Sequence, residues 1–377
     1  MSQPLVSIII PTYNRGHLIE RAILSVRNQR YTNWQLIVID DGSTDDTRQR
    51  LVAFDDIIYS YQPNKGQAAA RNAGLPFCQG EYIASLDSDD EWHPNFLADG
   101  MAMLEKNKLD FVFMNWQTNR GMDGFLFFFL RSSHRKRYCV RSEDNWWLLT
   151  PQQNRQLMVE TCPTPSSSLI IRRSSFPVAW NEQMLIADDW CMVLDMVMNR
   201  ACHSAFTEIS HWTKTIHGDN IYDCRNYTEV IPALGFHDEQ LLLKRFSQQL
   251  TYTDKRVFRR RLALHHFNYA YFGWKQAVFA SPIMLRHLMT AFRLSPSVVG
   301  HTLFTWGLAH AQRRLTKAKR LKSISEPVGS TRSPLPATNH EMESRGALQT
   351  TVDEPATQHH PVNNESNGSA AMPRDKS

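Results

Sequence analysis

The chain has 377 residues, 42% of them hydrophobic, which is enough for one catalytic domain and an appendage. No apolar run approaches the roughly 18 residues of a spanning helix, which argues against an integral membrane protein. The net charge is a modest +5, and we expect no nucleic-acid partner. The six cysteines are too far apart for a zinc site or redox pair, and no signal-peptide-like segment precedes Leu5, so reduced cytosolic thiols are expected.

The first 115 residues alternate between strand and helix patterns. Continuous apolar runs predict buried strands at 5–10, 34–40, 57–61, 81–87 and 110–114. Helices are expected at 17–29, at 67–72 and after Pro94. This alternation predicts an α/β fold with a mainly parallel sheet and helices on both faces. Ligands of such sheets bind beyond the carboxyl ends of the strands.

The rest of the chain changes character several times. Residues 116–180 are irregular and rich in aromatic and basic residues, with one strand expected at 166–173. From Ala233 the pattern is helical, and between Lys244 and Lys322 sixteen Lys or Arg stand against one acid, Asp254. After Ser323 the composition is that of a disordered tail. We therefore expect a catalytic domain at 1–232 (halves 1–115 and 116–232), a basic helical extension at 233–322 and a tail at 323–377.

Polar clusters follow several of the predicted strands. Asp87 and Asp89 are two positions apart at a strand end, so their carboxylates can point to the same side. Such a pair suits Mg²⁺ or Mn²⁺ shared with diphosphate oxygens, although acidic pairs at loop tips are also often merely solvated. Asp40 ends another strand, where its carboxylate could accept from a base N–H or a ribose hydroxyl. Gly66 opens a helix whose N-terminus favours anions, with Arg71 one turn further on, as a surface or ligand-binding arginine.

Four segments together are more specific than any of them alone. They closely resemble the N-terminal half of the family 2 glycosyltransferases in residues, order and spacing. The four segments are VSIIIPTYNR, VIDDGSTDDT, NKGQAAARNAG and EYIASLDSDDEWHPNFL. The resemblance covers about 110 residues strongly and continues more weakly to about residue 230. It implies a GT-A fold, an inverting reaction and a nucleoside diphosphate sugar as donor.

The resemblance also implies roles for individual residues. Thr12 and Tyr13 would line the nucleotide base, which Asp40 would read, while Arg71 would contact the nucleotide. Asp87 would lie near the ribose, and Asp89 would bind a divalent metal, Mn²⁺ or Mg²⁺. The full implied set for the nucleotide sugar is Pro11, Thr12, Tyr13, Asp40, Gly66, Arg71, Asp87 and Ser88, and the metal set is Asp89, Asp87 and His217.

Two later segments match the family more weakly. LIADDWCMVLDM (185–196) corresponds to the helix that supplies the general base, which implies Asp189. Because Asp188 stands where glutamate is usual, either acid could face the acceptor. HGDN (217–220) matches an H-x-x-N element and implies His217 near the diphosphate or metal. Trp190 fits a sugar-stacking platform and a buried aromatic equally well, and the other histidines, including His265 and His266, are interpreted as non-functional.

The expected function is transfer of a sugar, with UDP as the favoured carrier, to a hydroxyl of a glycan or lipid-linked acceptor in cell-surface polysaccharide or lipopolysaccharide synthesis. A dehydrogenase is disfavoured, since no G-x-G-x-x-G follows the first strand. A GT-A-like nucleotidyltransferase and a non-catalytic nucleotide-binding scaffold remain as alternatives. We expect a cytoplasmic protein whose basic helices contact the anionic inner face of the membrane, unless their charge only aids solubility.

Overall fold

The computed structural model describes residues 3–125, 134–218, 220, 225–276 and 281–305. In this part of the chain one ten-stranded mixed sheet runs through the centre. Its strands are β1 (Val6–Thr12), β2 (Trp34–Asp40), β3 (Ile57–Tyr61), β4 (Tyr82–Ser85), β5 (Glu91–Trp92), β6 (Phe111–Thr118), β7 (Arg141–Glu143), β8 (Trp146–Leu149), β9 (Leu169–Arg172) and β10 (Ser204–Lys214).

The strand order is β3-β2-β1-β4-β9-β6-β10-β8-β7, and β5 pairs with β10. Strands β3, β2, β1 and β4 are parallel neighbours, and β6 is parallel to β10. Between these two groups β9 pairs antiparallel with both β4 and β6. The predicted α/β fold with a mainly parallel sheet is confirmed, and the polar segments that follow β1, β2 and β4 lie at one edge.

Helices cover the sheet: α1 (Gly16–Arg27), α2 (Thr47–Leu51), α3 (Gln67–Gly74), α4 (Phe96–Asn107), α5 (His134–Tyr138), α6 (Pro151–Glu160), α7 (Asp188–Asn199), α8 (Tyr227–Ile231), α9 (Glu239–Arg245), α10 (Tyr252–Lys275) and α11 (Ser281–Leu294). Every residue of β1 is buried, because both faces of that strand are covered. The apolar face predicted for the first helix, which includes Leu18, Ile19 and Ile23, is buried in α1.

Residues 134–180 contain more regular structure than the sequence indicated. Strands β7 and β8 form an antiparallel hairpin, and a capping box of Thr150 and Gln153 begins α6. The predicted strand at 166–173 is shorter: Ser166–Ser168 form a 3₁₀ turn and only Leu169–Arg172 pair in the sheet. The aromatic run at 127–129 lies outside the described residues.

The C-terminal helices pack directly on the rest of the fold. The described residues belong to one compact unit, and Leu242, Phe246 and Phe258 are part of the same hydrophobic core as the sheet. No helix in the described part of the chain is long and apolar enough to cross a membrane. The boundary near residue 232 remains a prediction, and the predicted tail at 323–377 lies outside the described residues.

Candidate active site

A cavity of about 1,230 Å³ opens at the carboxyl ends of β1, β2 and β4. The residues expected from the sequence converge here from segments far apart in the chain. Ten of them line the cavity: Pro11, Thr12, Tyr13, Gly66, Arg71, Asp87, Ser88, Asp89, Asp188 and Asp189. The two that do not line it are Asp40 and His217, although His217 contacts a residue that does.

The end of β1 presents one exposed ring and one buried hydroxyl. Tyr13 is 45% exposed, while Thr12 is buried and its Oγ1 has no hydrogen-bond partner. Buried polar atoms are nearly always paired, so an unpaired hydroxyl in the cavity wall indicates a place for a ligand atom. These positions fit the expected contact with a planar base.

The two acids at the end of β2 have different environments. Asp40 accepts hydrogen bonds from the Ser43 amide (2.8 Å) and the Tyr59 hydroxyl (3.1 Å), and it does not line the cavity. Asp41 lines the cavity instead. Asp41 is therefore the acid of this pair that lies in the cavity wall, and the base-reading role expected for Asp40 stays a prediction.

Asp41 also fixes the loop that leads into α3. Its carboxylate accepts from the amides of Lys65 (2.9 Å) and Gly66 (2.8 Å). Gly66 has a φ of 93°, a left-handed conformation that favours glycine, so the loop can turn directly into the helix. The loop and the first turn of α3 are thereby held against the end of β2.

Arg71 is a buried bridge between the two halves of the site. Its guanidinium donates to Asp87 (Nη2, 2.6 Å), to Asp188 (Nη1) and to the Ser85 hydroxyl (3.2 Å). Burial alone would lower the pKa of Arg71, but Asp188 and Asp87 outweigh it and raise that pKa. Gln67 donates to the other oxygen of Asp188 (2.6 Å). Asp188 is 1% exposed and fully paired, so it acts as a structural anchor.

Asp189 differs from its neighbour in its contacts, whereas burial raises the pKa of both carboxyls. It lines the cavity, and its Oδ1 accepts from the Trp190 amide at 2.6 Å. Burial, with the nearby charge of Asp188, raises the pKa of Asp189 to about 7. A carboxylate with this pKa can accept a proton near neutral pH. The geometry therefore distinguishes the two acids and favours Asp189 as the base.

The loop that leads into α7 is held by a residue that the sequence analysis missed. Asp238 is completely buried and accepts from the amides of Leu185 (3.0 Å), Ile186 (2.8 Å) and Ala187 (2.9 Å). These three residues directly precede Asp188. A carboxylate from the C-terminal half thus positions the start of the helix that carries the candidate base, and only the folded structure reveals it.

The segment 87–90 forms a turn in the cavity wall. The Asp90 amide donates to the Asp87 carbonyl (3.0 Å), and the Asp90 carboxylate accepts from the Ser167 hydroxyl (2.7 Å). Burial and the charges of Asp89 and Asp87 raise the pKa of Asp90 well above its ordinary value. Asp90 therefore supports the turn, and it lines the cavity together with Asp87, Ser88 and Asp89.

Two of the residues expected to bind a metal, Asp89 and His217, are in contact. Asp89 Oδ2 and His217 Nε2 form a hydrogen bond of 2.9 Å, so the carboxylate and the imidazole lie side by side. The described residues contain no group of three or more His, Cys, Asp or Glu side chains that could hold an ion by itself. Mg²⁺ and similar ions often take one or two protein ligands and complete their shell with substrate phosphates and water. The residues present fit a divalent ion held jointly with a diphosphate.

Helices of the C-terminal half form a further part of the wall, with Glu239, Arg261 and His265 among its residues. His265 is therefore part of the cavity wall, a position that the sequence did not reveal. Trp190 is buried: its Nε1 donates to the Met158 carbonyl (2.7 Å), and its ring stacks on Phe258. Of the two interpretations of Trp190, the structure supports the buried aromatic.

Comparison with known proteins agrees with this arrangement. The model of the glycosyl transferase family 2 matches residues 7–177. The glucosyltransferase WfgD of Escherichia coli, named UDP-Glc:alpha-D-GlcNAc-diphosphoundecaprenol beta-1,3-glucosyltransferase, is 43% identical over 120 residues, which are 31% of this chain and 47% of WfgD. TuaG of Bacillus subtilis, named for teichuronic acid biosynthesis, is 37% identical over 119 residues, 30% of this chain and 47% of TuaG. The chain thus spans about half the length of these curated relatives.

The fold also resembles a solved structure. TarS 1–349 of S. aureus superposes with a TM-score of 0.54 at 18% identity, over 77% of this chain and 81% of TarS 1–349. That likeness concerns the fold alone. Together with the motifs around the cavity, the match to the family model identifies residues 7–177 as a family 2 glycosyltransferase domain, and the fold is of the GT-A type.

Proposed function

We propose that the protein is an inverting, metal-dependent glycosyltransferase that moves a sugar from a nucleoside diphosphate sugar, with UDP as the favoured carrier, to an acceptor hydroxyl. One observation carries the proposal: Asp189, with its raised pKa, lines the same cavity as the donor-binding segments around Thr12, Arg71 and Asp87. Arg71 connects the two sets through Asp188. A donor and an acceptor can therefore meet in one pre-organised site.

The reaction follows from these positions. The acceptor oxygen attacks the anomeric carbon while its proton passes to the Asp189 carboxylate. The bond between the anomeric carbon and the diphosphate breaks on the opposite face, so one displacement inverts the configuration. No covalent enzyme intermediate is required.

The donor is held by the N-terminal half of the site. Thr12, Tyr13 and Asp41 contact the nucleoside, and the Arg71–Asp87 pair orients the ribose end. Asp89 and His217 would hold the divalent ion, which offsets the charge that develops on the leaving diphosphate. Arg15, whose Nε lies 4.0 Å from Asp89, adds positive charge to the same region.

The acceptor class is proposed from the relatives. The name of WfgD describes a lipid-linked diphosphate acceptor, and TuaG is named for a cell-surface polymer. By analogy, this chain adds a sugar to a lipid-linked or other cell-surface glycan. The proposal therefore includes a location at the inner face of the cytoplasmic membrane, where the enzyme would meet a lipid-linked acceptor.

Helix α11 provides a surface suited to that location. Its inner face packs through Leu288 and Ala291 near Phe267 of α10. Its outer face exposes Leu285 (56%), Met289 (64%) and Phe292 (46%) beside Arg286 and Arg293, and the sequence has no acid between Asp254 and Glu326. Apolar side chains interleaved with arginines are typical of helices that lie in an anionic lipid interface. We include peripheral membrane contact through α11 in the proposal.

The test is a panel of nucleoside diphosphate sugars incubated with Mn²⁺, Mg²⁺ or chelator, with and without lipid-linked sugar acceptors. The proposal expects acceptor-stimulated release of nucleoside diphosphate and a glycosylated product of inverted configuration. Pyrophosphate added in place of an acceptor tests the nucleotidyltransferase alternative, because its reaction with the donor to give a nucleoside triphosphate and a sugar 1-phosphate would indicate that activity. Nucleotide binding without turnover across the whole panel would indicate a scaffold protein.

A further inference from the structure

The cavity has a second polar cluster, away from the donor-binding segments, formed by Glu239 of α9 with Arg261 and His265 of α10. Glu239 is 3% exposed. Its Oε1 lies 2.6 Å from Arg261 Nε and 3.0 Å from His265 Nε2. His265 Nδ1 lies 2.9 Å from the Tyr227 hydroxyl, which fixes the imidazole ring. The reaction as derived above uses none of these groups.

The Arg261 guanidinium is held rigidly. Its Nη1 donates to the carbonyls of Val159 (3.2 Å) and Glu160 (3.1 Å) at the end of α6. Its central carbon lies 4.5 Å from the Trp190 ring centre and 4.7 Å from that of Phe258. A guanidinium packed against two rings and bonded to two carbonyls loses little further freedom when it binds a ligand.

This cluster nevertheless has unsatisfied polar atoms. Arg261 Nη2 and Glu239 Oε2 are buried, and neither has a hydrogen-bond partner. One is a donor and the other an acceptor. Since buried polar atoms of native proteins are nearly always paired, two such exceptions on one cavity-lining ion pair indicate where ligand atoms bind.

The chemistry of the cluster selects a neutral, hydroxyl-rich ligand. The charges of Glu239 and Arg261 offset each other, so a diphosphate would gain a guanidinium but face an adjacent carboxylate. A sugar hydroxyl both donates and accepts, and it can pair with Nη2 and Oε2 without an uncompensated charge. The position of the cluster agrees with a sugar ligand, because Arg261 packs on the ring of Trp190, the residue that directly follows Asp189.

We propose that Glu239, Arg261 and His265 form the subsite for the acceptor sugar, binding its ring hydroxyls while the reacting hydroxyl is presented to Asp189. This inference rests on the proposed function and adds to it a binding site built by the C-terminal helices. Acceptor choice is then set by α9 and α10, outside the segment that matches the family model.

The direct test is saturation-transfer NMR of the full chain with UDP and, in turn, free N-acetylglucosamine, glucose and galactose. The variants are Arg261→Lys, which keeps the charge but loses the planar fork, and Glu239→Gln, which keeps the shape but loses the charge. The matched control is Arg155→Met, because Arg155 pairs with Asp254 at 2.6 Å, likewise joining α6 to α10, but does not line the cavity. Thermal unfolding checks that each variant is folded.

We expect at least one sugar to give signal in the wild type and the control, and both subsite variants to lose it while still binding UDP. Where transfer is measurable, the acceptor KM rises about tenfold or more, with kcat and donor KM little changed, as expected when ground-state binding is removed. No signal with any sugar in the wild type, or equal signal in the subsite variants, overturns the subsite. Failure of the proposed function would appear separately, as loss of UDP binding or turnover in the wild type.

Discussion

The donor and acceptor sides of the cavity are built in different ways. The donor side comes from short contiguous segments that follow consecutive parallel strands, so Thr12, Asp41, Gly66 and Asp87 meet wherever the sheet forms. The acceptor side is assembled from the end of α6 and from α9 and α10. Their contributions depend on how helices pack, and Glu239 and Arg261 belong to no recognisable sequence motif.

This difference indicates how such a site can vary. Strand ends keep their relative positions because hydrogen bonds fix the sheet register, so a nucleotide site built on them tolerates little change. Helices packed over the same cavity can be replaced without disturbing that register. Asp238 connects the two sides, since it comes from the C-terminal half yet holds the loop before the candidate base. Donor-side substitutions should therefore change donor and metal binding, whereas acceptor-side ones should not.

The largest expected effect is at Asp89. Asp89→Ala removes the carboxylate beside His217 and should lower transfer about 1,000-fold or more, since metal charge stabilisation is worth several kcal/mol. Mn²⁺ binding in the presence of UDP, followed by electron paramagnetic resonance, should weaken in parallel. Asp99→Ala is the matched control, because Asp99 makes a similar contact with His211 (3.0 Å) and does not line the cavity. Full activity of the wild type in chelator would refute a metal role.

The next largest effect is expected at Asp189, which lies between the donor and acceptor sides of the cavity. Asp189→Asn keeps the shape of the side chain but cannot accept the proton, so kcat should fall about 100-fold or more. Donor binding, measured by calorimetry with UDP, should stay unchanged. Asp188→Asn should instead lower the melting temperature and weaken donor binding, because it breaks the pair that holds Arg71. The reverse pattern would identify Asp188 as the base.

The raised pKa of Asp189 gives two further signatures with a definite sign. Activity requires the ionised carboxylate, so kcat/KM should rise with pH and level off above about pH 7. The folded state holds this proton more tightly than the unfolded chain does, so the free energy of unfolding should decrease between the ordinary pKa of 3.8 and about 7. In Asp189→Asn this rise in kcat/KM should disappear and the decrease in stability should be smaller. A wild-type rate independent of pH between 5 and 8 would contradict the assignment.

A smaller effect separates the two acids after β2. Asp41→Asn should weaken UDP binding about tenfold, as expected for one hydrogen bond to a charged group, whereas Asp40→Asn should leave binding within about twofold. Both variants should also lower stability, because the Asp40 carboxylate holds Ser43 and Tyr59 and the Asp41 carboxylate holds the amides of Lys65 and Gly66. Calorimetric titration with UDP and thermal unfolding measure both variants. Equal losses of UDP affinity would show that the pair acts together.

Asp40 and Asp41 also show how much of the fold and of the site could be predicted from the sequence. Apolar runs predicted β1, β2 and α1 because burial dictates their pattern, and the motifs identified ten of the cavity residues. The sequence could not decide between Asp40 and Asp41, because the orientation of a side chain depends on where a strand ends to within one residue. The β7–β8 hairpin was missed, since its aromatic residues are buried by neighbours distant in sequence. The contacts of Asp238 and Arg261 arise only from tertiary packing.

The smallest expected effect concerns α11, which belongs to neither side of the cavity. If its outer face lies in the lipid interface, Leu285→Ser with Met289→Ser should reduce sedimentation with vesicles of any charge. Arg286→Ser with Arg293→Ser should weaken binding to anionic vesicles about tenfold or more, since each basic residue contributes about 1 kcal/mol, and high salt should have a similar effect. Val178→Ser is the control, because Val178 is 98% exposed and lies outside the helix.

Transfer to a short-chain, water-soluble acceptor should stay unchanged in all these variants, because α11 does not line the cavity. Unchanged sedimentation of both double variants would remove α11 from the proposal and leave its charge a role in solubility alone.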